Sequence, residues 1–129
     1  MKRITALIAA LTFAGGLAAQ DSVSLADDEV ILPRDAQQCV LPAAPDAIPE
    51  NPTLDQLRTA KANVQSFQEA VTAFRDCLAE AELNPENTVG NKQAIIESYN
   101  YSVEMEERVA SRFNEAVRQY KEAKAAAEG

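Results

Sequence analysis

The sequence predicts an all-helical fold: a long antiparallel two-helix hairpin of coiled-coil character, with an extended Pro-rich N-terminal arm strapped along helix one by a disulfide. Three observations predict it. Apolar residues recur at spacings of three and four in two series, Leu57, Ala60, Val64, Phe67, Val71, Phe74, Leu78, Ala81 and then Ile96, Tyr99, Val103, Ala110, Phe113, Val117, Tyr120. That period puts each series on one face of a helix, and a sustained 3.5-residue repeat favours shallow left-handed packing. A short break rich in turn residues separates the series, which makes the helices antiparallel neighbours. The two cysteines and a run of prolines precede and enter the first helix at spacings that let the arm fold back upon it.

Residues 1–19 read as a secretory signal peptide. Lys2 and Arg3 form a basic start, Ile4 to Leu17 an apolar run, and Ala18-Ala19 a small-residue exit before Gln20-Asp21-Ser22. The apolar run contains Gly15 and Gly16 and falls short of the roughly 20 residues a membrane span requires. No Cys stands at the exit, so a lipid-anchored form is not expected, and no stable membrane insertion is expected after cleavage. Cleavage near Ala19 would leave about 110 residues, enough for one domain. The expected compartment is the periplasm, or the exterior, of a bacterium.

Without the leader the chain carries ten basic and twenty acidic residues, a formal charge of −10. That balance argues against nucleic acid, whose binding depends on Lys and Arg at the phosphates, and against anionic lipid head groups.

Residues 20–38 are polar and acidic around the short apolar patch Val30-Ile31-Leu32, and read as a flexible lead. Residues 39–52 hold Pro42, Pro45, Pro49 and Pro52, which forbid a helix and favour polyproline II. Helix one is expected over 53–83. Thr53 with Gln56 forms a capping box, and Asn51 capping with Pro52 as first helical residue is the alternative start. The segment 84–90 is the turn, helix two is expected over 91–126, and the single hairpin domain spans 39–126.

Cys39 and Cys77 are the only cysteines of a chain bound for an oxidising compartment, so one disulfide is the default. Cys77 lies roughly 36 Å along helix one, and fourteen residues of polyproline II reach about 43 Å, so the arm can span the distance. The bond closes a loop of about 38 residues, worth roughly 3–4 kcal/mol in the chain-entropy account. Val40, Leu41, Ala43, Ala44 and Ile48 are the arm residues able to touch the hairpin.

Glu106 interrupts the second stripe. It is expected at an edge, reaching water, because the facing positions near Glu69 and Thr72 offer no cation. Asn100 and Asn114, two heptads apart, are candidates to clamp the arm, since an extended arm needs partners for its peptide groups.

The run YNYSVEMEERVASRFN from Tyr99 to Asn114, continuing to Arg118, Tyr120 and Lys121, resembles the second helix of a group of small secreted helical proteins of alphaproteobacteria. Those proteins pair a YN…V…M start with an RFN…R.YK continuation. They also carry a Cys followed by several Pro before the first helix and a Cys late within it, as Cys39 and Cys77 stand here. The resemblance spans roughly residues 39–121. It implies a fold and a compartment and carries no activity.

Catalytic signals are absent. The chain has no His to move protons near neutral pH, no Gly-rich phosphate loop, and serines without a His to activate them. No enzyme activity, cofactor or metal is expected. Asn84, Glu86 and Thr88 alternate as in some calcium loops, but Gly90 sits one place off and no terminal Glu is placed. Asp76, Glu80, Glu82, Glu86 and Glu97 form an acidic tip at the loop end, while Arg58, Lys61, Arg112, Arg118, Lys121 and Lys124 lie towards the open end. The expected role is therefore protein–protein interaction or a structural place in the envelope, with an envelope protein or a second copy as partner. The alternative is a small-ligand or calcium-like cation binder using the acidic tip.

Overall fold

The computed structural model describes residues 28–129. The leader expected at 1–19 and the first part of the lead lie outside the described residues. Within them 72% are helical and there is no strand. Three helices follow in order: α1 Arg34–Gln37, α2 Leu54–Glu82 and α3 Val89–Glu128.

Both long helices begin at capping boxes. Thr53 Oγ1 accepts from Gln56 N at 3.2 Å while the Thr53 N–H donates to Gln56 Oε1 at 2.8 Å. Thr88 and Asn91 repeat the arrangement at the start of α3, at 3.1 and 3.0 Å. This second box starts α3 at Val89, earlier than the 91 expected, because Asn91 serves as the box's third residue rather than as a cap.

Two apolar clusters join the long helices. Phe67 and Val71 of α2 meet Val109 of α3, flanked by Val64 and Met105. Phe74, Leu78 and Ala81 meet Ile95, together with Ala36 of α1. Ascending positions on α2 thus meet descending positions on α3, and the helices run antiparallel. Val71 and Leu78 are almost fully buried, each such side chain contributing roughly 1.5–3 kcal/mol.

The α2 stripe packs largely as its periodicity predicts. On α3 the buried set is Gly90, Ala94, Ile95, Ser102, Val109 and Ala116, one position away from the expected stripe. Ile96 and Tyr99 are 46% and 45% exposed. On the buried line Ile95 meets Phe74 and Leu78, and Val109 meets Phe67 and Val71. The expected stripe lies on the flank of the contact.

The disulfide joins Cys39 to Cys77 with Cα atoms 5.6 Å apart. Between Cys39 and Pro49, only Cys39, Pro42, Pro45 and Ile48 are half-buried, and the residues between them are exposed. A burial period of three is that of polyproline II. The half-buried face thus includes Pro42 and Pro45, and of the arm residues expected to touch the hairpin Ile48 is half-buried and Leu41 lies beside Phe74 and Leu78. Val40 is 79% exposed, Ala43 and Ala44 are exposed as well, and Leu41 is 37% exposed in the groove it lines with Phe74 and Leu78. Asn51 ends the arm in the left-handed region, φ 53°, a conformation Asn tolerates. Pro52 is buried beside it, and α2 begins two residues on.

The segment before the arm is packed rather than loose. Ala36 is 2% exposed in the core, and Leu32 packs on the same cluster. Asn91 Nδ2 donates to the Ile31 carbonyl at 2.7 Å, and Asn84 Nδ2 to Asp35 Oδ2 at 2.8 Å. Gly90 meets the backbone of Glu29 so closely that a Cβ there would overlap the Glu29 carbonyl.

Candidate functional site

A polar layer separates the two apolar clusters. Ser102 has no exposed surface. Its Oγ donates to the Tyr99 carbonyl at 2.6 Å and accepts from Arg75 Nε at 2.9 Å. Arg75 Nη2 lies 2.8 Å from Glu106 Oε2, with the two side chains 19% and 29% exposed. That nitrogen is buried without an aligned hydrogen-bond acceptor, so the contact is an ion pair rather than a directed bond. The Arg75 guanidinium also stands 5.4 Å from the centroid of the Tyr99 ring. Glu106 therefore has a cation opposite it, contrary to expectation. The facing residue is Arg75, one turn beyond Thr72, whose long side chain reaches across the seam.

The layer holds the hairpin in register and offers no nucleophile. The Ser102 proton is committed to a helix carbonyl, and its neighbour is a cation rather than a base.

The loop side chains are similarly engaged. Asn84 Oδ1 accepts from the Glu86 N–H at 3.0 Å while its amide nitrogen holds Asp35, and Asn87 Nδ2 donates to the Ala81 carbonyl at 2.8 Å. Thr88 caps α3. The side chains of Asn84 and Thr88 thus build the turn, to which Glu86 lends its backbone N–H. Asp76, Glu80, Glu82, Glu86 and Glu97 are all exposed, and Glu97 accepts from Gln93 Nε2. Among the described residues, no group of acidic, Cys or His side chains is arranged to hold a metal ion.

Asn100 and Asn114 are exposed on α3. The amides that bond the N-terminal segment are those of Asn84 and Asn91, near the loop. These bonds hold Ile31 and Asp35, ahead of the arm that Asn100 and Asn114 were expected to clamp. At the open end Arg118 sits between Glu115 and Glu122, and its hydrogen bonds hold the Glu115 carboxyl below its ordinary range.

Two grooves flank the N-terminal segment. One, of about 430 Å³, lies at the closed end, lined by Val30, Leu32, Leu41, Phe74 and Tyr101 with Glu97 among its polar residues. The other, of about 380 Å³, lies under the arm between Pro45–Pro49 and α2, with Val64, Val109 and Arg112 also lining it. Val30, Val40, Leu41 and Tyr101 are 51%, 79%, 37% and 49% exposed.

Compared with protein-family models, curated proteins and solved structures, the chain matches none. Among the described residues, no helix is long and apolar enough to cross a membrane.

Proposed function

We propose that this chain is a non-enzymatic protein of the bacterial periplasm or exterior that works by protein–protein contact or as a structural piece of the envelope. One observation carries the reading. Val40 stands outward, and Val30, Leu41 and Tyr101 line an open groove, on and beside a segment that the Cys39–Cys77 bond ties to the hairpin. Exposed apolar side chains on a restrained frame suit a partner, because little conformational freedom is lost when they are covered.

The exported setting is supported by the Lys2–Ala19 pattern and by the disulfide, which persists in oxidising compartments. In this reading the hairpin is the frame, coiled-coil-like in its packing, and the arm is the strap that presents the apolar residues.

A photo-crosslinking amino acid at Val40, in the full chain exported by a bacterial host, tests the proposal. Discrete adducts from position 40 and none from the same label at Gln65, exposed on α2, are the expected result. No adduct at 40, or equal adducts at both positions, would overturn it.

A further inference from the structure

We propose that the open flank of α3 seats a second copy of this chain, docked antiparallel. The flank is a heptad stripe the monomer does not use up. Ile96, Tyr99, Val103, Ala110 and Val117 fall at coiled-coil spacings, yet none is fully buried. The α3 residues that line the grooves beside the arm are Ala94, Glu97, Ser98, Tyr101, Val109 and Arg112. At 100° per residue Glu97, Tyr101 and Arg112 lie on the side of the helix contact opposite the stripe, with Ala94, Ser98 and Val109 in or beside the contact itself. The arm therefore covers one flank and leaves the stripe open.

Charge selects the occupant and its direction. Residues 69–107, towards the closed end, carry nine acidic and two basic residues. The open-end parts of the two helices, 54–68 and 108–128, carry seven basic and four acidic residues. A second copy laid antiparallel sets the acidic half of each against the basic half of the other, whereas a parallel copy opposes like to like. The stripe is symmetric about position 108. Ile96 of one copy then meets Tyr120 of the other, Tyr99 meets Val117, Val103 meets Phe113, and Glu106 meets Ala110. Arg108, at the two-fold axis, does not repel its mate, because its guanidinium lies 5.9 Å from the ring centroid of Tyr101, on the arm side. The paired stretch, 96–120, is about 36 Å long.

This surface is separate from the arm-side residues invoked above. Sedimentation equilibrium on the full chain, exported and oxidised, tests it, alongside Ala110→Glu and Ala110→Lys. The wild-type chain is expected to dimerise, more weakly as salt rises. Ala110→Glu faces Glu106 of the other copy and should weaken the dimer at least about tenfold. Ala110→Lys faces the same carboxylate and should keep or tighten it. Circular dichroism confirms that both variants stay helical. A monomer at every concentration, or equal loss in both variants, would overturn the dimer. If such a monomer still gives the Val40 adduct, the arm-side reading stands.

Discussion

Ser102 decides more than its size suggests. It is the one fully buried polar side chain of the described core, and it accepts the only directed hydrogen bond that joins α2 to α3 through Arg75. Ser102→Ala should lower stability by about 1–2 kcal/mol, because Arg75 Nε is left without its acceptor in a mostly buried place. Chemical denaturation checks this, and a change too small to measure would show that water replaces the hydroxyl. This layer was only half legible in the sequence. Glu106 stood out as a break in an apolar stripe, but nothing marked Ser102, since a small polar residue is invisible to hydrophobic periodicity. Arg75 escaped because the α3 register was read from Ile96, Val103 and Ala110. The seam is drawn instead by Ile95, Ser102 and Val109, each one position before a residue of the expected stripe.

Among the elements, the helices announced themselves and the segment before them did not. Thr53 with Gln56 and the recurrent α2 stripe mark one helix within a residue of its observed ends, because capping chemistry is local. The prolines likewise marked the arm as extended. Its burial period of three followed only from the structure, since which face of a polyproline helix meets a neighbour depends on the neighbour. The packing of Glu29–Gln37 depends on contacts some 60 residues away, such as Asn91 to Ile31, and short apolar patches carry no sign of distant partners. Gly90 tests that contact. In an ordinary helix interior Gly→Ala stabilises by up to about 1 kcal/mol. Here Gly90→Ala should destabilise by about 1–3 kcal/mol, because the new methyl meets the Glu29 carbonyl, a backbone atom. Amide hydrogen exchange should quicken around Ile31 while α2 is unaffected. A stabilised variant would mean that the segment shifts without cost.

For the molecule as a whole, two long helices and a thin core leave the disulfide a large share of the stability. Its loop of 38 residues is worth about 4 kcal/mol in the chain-entropy account. The Cys39→Ser, Cys77→Ser double variant should lose stability of that order, with exchange of the arm amides approaching that of free peptide and far-UV helicity retained below the new, lower midpoint. An unchanged midpoint would mean that the proline face and Ala36 hold the arm unaided. The existence of the bond was legible from cysteine count and reach. Its environment was not, because Cys39 packs against a cluster that joins Ala36 of α1 to Phe74 and Ile95 of the long helices.

The unequal lengths of the helices have a further mechanical consequence. Asp28 and Glu29 lie against Gly90, at the start of α3, and Glu128 closes its last turn. The 40 residues of α3 span about 60 Å, and residues 121–129 are exposed on every side. The contact of Asp28 and Glu29 with Gly90 and the last turn of α3 are thus at opposite ends of one long helix. Its reach is about twice the hydrocarbon thickness of a bilayer. Anything attached at one end is kept at a set distance from anything gripped at the other, so the molecule has the geometry of a spacer as well as that of a surface.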